Sequence, residues 1–118
     1  MKKIFATIII LAAVVLTACG GGSVNVSQST YENGSRALEI MEKYNKAEIT
    51  GEDAVTRLKG LETALEQEQT ELQDNPTQSL TNLRASTAIF MFISAIENPN
   101  VSTTTTYDQE KELRDAIS

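Results

Sequence analysis

Cys19 is the residue whose type and position point most directly to chemistry. It is the single cysteine in a chain of 118 residues that contains no histidine. A Ser-His-Asp triad needs an imidazole base, and a zinc cluster needs several Cys or His ligands. The sequence therefore predicts a protein that is not an enzyme and that holds no metal or other cofactor.

An acidic stretch is the second set of residues that could carry chemistry. It contains no Lys or Arg, and its members are Glu62, Glu66, Glu68, Glu71 and Asp74. A solvated helix face is the interpretation we favour. The alternatives are a surface for a cationic partner or loosely held calcium, and a carboxylate pair for glycoside hydrolysis. The EF-hand spacing is missing, and there is no Trp to stack on a sugar.

The charge balance of the chain argues against nucleic acid as a partner. The formal net charge is −6, and removing residues 1–18, which include Lys2 and Lys3, leaves 100 residues with a net charge of −8. Binding to phosphates needs clustered Lys and Arg. A chain of this length also has room for one domain only.

The first nineteen residues have the three-part layout of a secretory signal. Two lysines precede a run of 13 mostly apolar residues, Ile4–Leu16, and small residues then lead to the cysteine. Thirteen residues are too few to span a bilayer as a helix, which takes about 20. The segment is therefore expected to direct export.

The ending Leu16-Thr17-Ala18-Cys19 resembles the lipobox of bacterial lipoproteins. The resemblance implies that the signal peptidase recognises Leu16, Thr17 and Ala18, that the Cys19 sulfur receives diacylglycerol, and that cleavage precedes Cys19. Palmitate and further acyl chains would then anchor the protein at the extracytoplasmic face of the cell membrane, since two or more chains hold stably. An ordinary cleaved signal with a coincidental cysteine and an uncleaved N-terminal anchor are the alternatives.

Composition divides the chain into three parts. Residues 1–18 are the expected signal peptide, residues 19–34 the lipidated cysteine with a flexible linker, and residues 35–118 the helical domain. The linker is rich in Gly, Ser and Asn. Fifteen such residues have a root-mean-square span of about 20 Å, so the domain is expected just above the lipid headgroups.

Apolar residues at steps of three and four predict helices over 35–48, 50–73, 76–97 and 107–118. Ser35, Thr50 and Asn75 are the expected N-caps of the first three. Short connections predict antiparallel neighbours. The fold class is therefore all-α: a small up-down-up antiparallel three-helix bundle after a flexible N-terminal tether. Its C-terminal segment is expected to be a short fourth helix, with a disordered tail as the alternative.

The apolar stripes name the expected core. The first helix contributes Ala37, Ile40, Met41 and Tyr44; the second contributes Val55, Leu58, Leu61, Leu65 and Leu72, with a missing apolar step near Glu68 and Gln69. The third helix is apolar all round from Ala88 to Ile93 and needs cover on every side. It is expected to be the central core helix, and a dimer face that includes Phe90 and Phe92 is the alternative.

The segment Ala37 to Ala54 (ALEIMEKYNKAEITGEDA) resembles a recurring segment of short, uncharacterised Gram-positive helical lipoproteins. The likeness implies a helical hairpin with an acidic start to its second helix. It covers less than a fifth of the chain and implies no activity.

Together these features predict a non-enzymatic, membrane-anchored lipoprotein of the bacterial cell envelope that acts as a protein-interaction module. The expected partners are another envelope protein or a second copy of the chain. The alternative is a lipoprotein that binds a small apolar ligand or peptide in a groove of the bundle, beside Ile89, Phe92 and Ile96.

Overall fold

The structure is a computed structural model that describes residues 25–118, and this range forms helices with no strand. The predicted leader, the lipobox with Cys19 and residues 20–24 of the linker lie outside the described residues. The helices are α1 (Gln28–Asn45), α2 (Gly51–Glu68), α3 (Pro76–Glu97) and α4 (Thr106–Ile117), with a 3-10 turn at Gln69–Leu72 after α2. The predicted all-α class is therefore confirmed.

Helix α1 begins well before its predicted start. Ser27, and not Ser35, is its N-cap, because the Ser27 hydroxyl accepts a hydrogen bond from the Thr30 amide at 3.0 Å. Residues 28–34 are helical, so the predicted end of the linker at Gly34 is wrong. This stretch is polar and contains a glycine, which disfavours a helix locally. Thr30 and Gly34 are nevertheless buried, so tertiary contacts hold the stretch in helical form.

The other helix starts follow the sequence closely. The Thr50 hydroxyl accepts from the Asp53 amide at 3.1 Å, and the Asn75 side chain accepts from the Gln78 amide at 3.1 Å. Helix α4 starts with a reciprocal capping box formed by Thr105 and Asp108. Helix α2 ends earlier than predicted, since the chain tightens to a 3-10 turn after Glu68.

The inner face of α3 is the centre of the core. Ala85, Ile89 and Phe92 have no exposed surface, and the apolar faces of the other three helices pack around them. The ring of Tyr44 meets Phe92 edge to face, with centroids 5.7 Å apart. Nearly all the predicted stripe residues belong to this cluster or pack against it.

Contacts at the two ends of the bundle show which helix termini meet. At one end, which we call the Ser27 end, side chains from the start of α1 bind Glu68 at the end of α2. At the other end, Gly51 at the start of α2 lies against Ile96 near the end of α3. The Asn45 amide there donates to the Thr106 carbonyl at the start of α4.

Helix α3 is the one helix in residues 25–118 that is long and apolar enough to cross a membrane by length and composition. Its inner face also supplies more of the buried apolar side chains than any other helix of this range. The inner face of α3 therefore lies in the core, as predicted. The predicted cover on every side is wrong, because Phe90 on its outer face is more than half exposed.

Two glycines on exposed and buried sides of the helices form a matched pair for testing this packing. A Cβ at Gly34 would lie 2.9 Å from Cγ2 of Ile117 in α4, whereas a Cβ at Gly60 would meet nothing within 4 Å. Alanine is intrinsically better than glycine in a helix by about 1 kcal/mol. The two substitutions therefore separate helix propensity from packing.

We expect Gly34→Ala to lower the free energy of unfolding by about 1–2 kcal/mol, because overpacking outweighs the gain in propensity. Gly60→Ala should raise it by up to about 1 kcal/mol. Urea unfolding of the full chain followed by circular dichroism measures both. A stabilising Gly34→Ala would contradict the close approach of α1 and α4.

Candidate functional site

A buried carboxylate lies at the Ser27 end of the bundle. Glu68 is only 7% exposed, and it accepts hydrogen bonds from the hydroxyls of Ser27 and Thr30 and from the amide of Asn82. The Thr30 bond is 3.0 Å and the Asn82 bond is 3.2 Å. One side chain therefore joins the start of α1, the end of α2 and the first half of α3.

Amide side chains extend this network toward α3. The Gln69 amide donates to the Asn82 side-chain oxygen at 2.7 Å and to the Ser79 carbonyl at 3.0 Å, while the Ser79 hydroxyl donates back to Gln69 at 2.9 Å. Asn82 is fully buried, and its amide also donates to the Thr30 hydroxyl at 3.0 Å. We call Ser27, Thr30, Glu68, Gln69 and Asn82 the Glu68 network.

The Glu68 network contains no cation. None of the ion pairs within residues 25–118 involves Glu68, so three neutral donors take the place of a salt bridge. Burying a carboxylate is costly unless its oxygens are hydrogen-bonded. The carboxylate therefore requires Ser27 and Thr30 in position, which fixes where α1 begins.

A second polar cluster joins α1 to α4 at the opposite end. Glu110 accepts from the Asn45 amide at 2.7 Å and from the Arg114 guanidinium at 2.7 Å, and Arg114 also pairs with Glu42 at 2.9 Å. Partial burial alone would raise the pKa of Glu110, but the hydrogen bonds from Asn45 and Arg114 and the nearby positive charges lower it overall. Glu42 of α1 is therefore paired with a residue of α4.

The acidic stretch does not act as one unit. Glu66, Glu71 and Asp74 are exposed, whereas Glu68 points into the bundle. Partial burial, and then the neighbouring Glu66 carboxylate, raise the pKa of Glu62 against the opposing effect of Lys59. Within residues 25–118 no group of three or more carboxylates is placed to hold a metal ion.

Of the residues expected beside a ligand groove, Ile96 lines a surface cleft, whereas Ile89 and Phe92 do not reach the surface. Ile89 and Phe92 are fully buried in the core. One surface cleft lies between α3 and α4 beside Met91, and another lies between the start of α2 and the end of α3 beside Ile96. The predicted lipidation residue Cys19 and the recognition residues Leu16, Thr17 and Ala18 lie outside the described residues.

The Glu68 network was not predicted from the sequence, although a signal for it exists. The apolar stripe of α2 lacks its expected step at Glu68 and Gln69. A polar residue at a core position of a helix has two interpretations. The apolar stripe is weak there, or the polar group is buried and hydrogen-bonded. The partners Ser27 and Thr30 lie in a stretch without helical periodicity, so the sequence pattern alone does not connect them to Glu68.

Comparison with known proteins does not assign the chain to a family. No family model matches it, and neither the curated proteins nor the solved structures give a match.

We expect Glu68→Leu to lower the free energy of unfolding by about 2 kcal/mol or more, because it leaves buried hydroxyl and amide groups without their acceptor. Hydrogen exchange of the amides in residues 28–34 should accelerate more than exchange in α2. Glu66→Leu, two residues away and exposed, is the control and should change the stability by less than about 0.5 kcal/mol. Unchanged exchange in Glu68→Leu would show that the network does not hold the start of α1.

The lowered pKa of Glu110 predicts a pH dependence with a defined sign. Below about pH 4.5 the unfolded chain takes up a proton at this residue before the folded chain does, so the stabilisation it provides at neutral pH is lost as the pH falls further. We therefore expect the stability difference between wild type and Glu110→Gln to shrink from pH 7 to pH 3 in urea titrations. Glu48→Gln controls for the loss of one negative charge at an exposed residue. A difference that stays constant with pH would contradict the assignment.

Proposed function

We propose that the protein is a bacterial lipoprotein, anchored through acyl chains on Cys19 at the extracytoplasmic face of the cell membrane. It acts as a non-enzymatic protein-interaction module of the envelope. The observation that carries this proposal is the sequence Leu16-Thr17-Ala18-Cys19 at the end of a short apolar segment. The acidic charge of the remaining chain supports a partner other than nucleic acid.

The early start of α1 supports a domain held close to the bilayer. Val26 is buried and Ser27 caps α1, so only residues 20–25 separate Cys19 from the folded part. Six residues reach at most about 20 Å and have a root-mean-square span of about 13 Å. The anchored domain then stands with its Ser27 end toward the headgroups.

The contacts at both ends of the bundle support an up-down-up-down arrangement of the four helices. In this arrangement the starts of α1 and α3 and the ends of α2 and α4 share the Ser27 end. Apolar side chains pack in the core of the bundle, so we place the interaction on its outer surface. The outer face of α3, with its exposed apolar side chains, is the part of that surface best suited to contact a protein.

Binding of a small apolar ligand is the second candidate, and the cleft between α3 and α4 is the observation that favours it. Its volume is about 400 Å³, and its lining includes Leu83, Ala88 and Met91. Arg84, Gln109 and Glu112 also line it, which makes it less apolar than most ligand pockets. We therefore favour the cleft as part of a protein contact.

Substitution of the anchoring residue tests the proposed function. In cells fed labelled palmitate, the wild-type chain should incorporate label and sediment with membranes, whereas Cys19→Ala should incorporate none and remain unprocessed or be released. Ser23→Ala in the linker is the matched control and should behave as wild type. Palmitate labelling that persists in Cys19→Ala would show that Cys19 is not the acylated residue.

A further inference from the structure

The outer face of α3 carries a row of apolar side chains that the other described helices do not cover. Leu80, Leu83 and Phe90 are 58%, 53% and 56% exposed. Steps of three and seven residues place them on one side of the helix. Between Leu80 and Ser94 the single charged residue is Arg84, so the row carries no acidic group despite the acidity of the chain. We call Leu80, Leu83 and Phe90 the α3 stripe.

The cleft between α3 and α4 runs directly beside the α3 stripe. Thr87, Ala88 and Met91 contribute to its lining from α3, together with Arg84, and Glu112 contributes from α4. Neither Arg84 nor Glu112 forms an ion pair with another residue of the described range. The same surface therefore presents both a projecting aromatic ring, Phe90, and a cleft that such a ring can enter.

The positions of Phe90 and the cleft are related by the helix geometry. At about 100° per residue, Phe90 lies about 60° to one side of Thr87, while Met91 and Arg84 lie about 40–60° to the other side. A rise of about 1.5 Å per residue keeps Phe90 within about 3 Å of the height of Ala88 and Met91, whereas Arg84 lies about 9 Å away along the helix. A surface with a knob and a hole at equal height on opposite sides of one line is complementary to itself.

We propose that the α3 stripe binds a second copy of this chain about a two-fold axis parallel to α3 and next to Thr87. The Phe90 ring of each copy then occupies the α3–α4 cleft of the other copy. A two-fold axis perpendicular to α3 does not achieve this, because it sets Phe90 against Leu83 at the edge of the second copy's cleft and away from Ala88 and Met91. The parallel arrangement is the one that uses both features.

The charges on this surface suit a second copy. Arg84 and Glu112 line the cleft with opposite charges, so this part of the surface is close to neutral despite the acidity of the chain. The contact also keeps the exposed carboxylates of α2 away from the axis, which limits repulsion between two acidic chains.

The membrane anchor selects the same arrangement, and this step rests on the proposed function. An axis parallel to α3 puts the Ser27 ends of both copies at the same end of the dimer, so that both reach one bilayer. A perpendicular axis puts them at opposite ends, separated by about the 33 Å length of a 22-residue helix. Six linker residues, reaching about 20 Å, do not span that distance.

The size of the contact indicates a weak dimer. Each of the three side chains of the α3 stripe exposes on the order of 100 Å² of apolar surface, whereas a stable interface buries about 800 Å² per partner. Confinement to a membrane raises the effective concentration and compensates for a weak contact. The dimer is therefore expected in the membrane and not at micromolar concentration in solution.

Cysteine cross-linking in intact membranes tests the proposal. Thr87→Cys and Ser94→Cys are made separately in the full chain, and a short bismaleimide is added. The wild type is the background control, because its Cys19 thiol is acylated. A parallel axis beside α3 predicts dimers from both variants, whereas a perpendicular axis at Thr87 predicts a dimer from Thr87→Cys alone. Thr63→Cys, exposed on α2, should give none.

A second substitution tests the role of the Phe90 ring. Adding Phe90→Ala to Thr87→Cys should lower the dimer yield about tenfold, which corresponds to a loss of about 1.4 kcal/mol. Val101→Ala removes a side chain that is 78% exposed away from the stripe and should leave the yield unchanged. Circular dichroism of both variants confirms that the fold is retained.

Palmitate labelling and membrane sedimentation are measured on the same samples, so that the two proposals fail separately. Labelled, membrane-bound chains without a cross-link would overturn the dimer and leave the anchoring intact. A dimer from Thr87→Cys alone, or a cross-link to a protein of different mass, would overturn it as well. Unlabelled chains in the soluble fraction would overturn the proposed function itself, and with it the parallel arrangement. Dimers from both variants that depend on Phe90 support the proposal.

Discussion

The constraint on which the rest of the structure depends is the burial of the Glu68 carboxylate without a cation. A carboxylate in this position is tolerated only when donors surround it. Two of the donors, Ser27 and Thr30, come from the first turn of α1, and the third, Asn82, comes from α3. Removing any one donor leaves the carboxylate with too few hydrogen bonds. The network therefore couples the start of α1 to the packing of α1 and α3 against α2. The start of α1 is therefore determined by the core and not by the local sequence.

This coupling explains which parts of the fold the sequence predicts. The caps at Thr50 and Asn75 are local, since each side chain binds an amide three residues later, and both were predicted correctly. The start of α1 is not local: its residues have low helix propensity, and their partners are residues about forty positions away. A reading of propensity and periodicity therefore places the start at Ser35. The missing apolar step at Glu68 marks the place where a long-range polar contact replaces packing.

The candidate site shows the same division between local and long-range information. Six consecutive apolar residues from Ala88 to Ile93 indicate a helix that is buried all round, and the inner half of that prediction is confirmed by Ile89 and Phe92. The outer half is wrong because the other three helices within residues 25–118 pack against the inner face and flanks of α3. Hydrophobicity alone does not tell which apolar residue remains outside. The angular position around the helix decides it, and that position becomes known only once the neighbours are placed.

In the lipoprotein that we propose, the short linker and the outer face of α3 both affect the orientation of the bundle relative to the membrane. A flexible linker of fifteen residues would let the domain tumble, and an apolar face on one side would then contact partners at any angle. Six residues ending in a cap that is bound to the core restrict this tumbling, because α1 cannot unwind its first turn without exposing Glu68. The outer face of α3 then lies along the side of a bundle that stands on its Ser27 end. In the proposed dimer, an apolar face held in that orientation meets a second copy that is anchored in the same bilayer and oriented alike, which is the geometry in which a weak contact of about three side chains becomes effective.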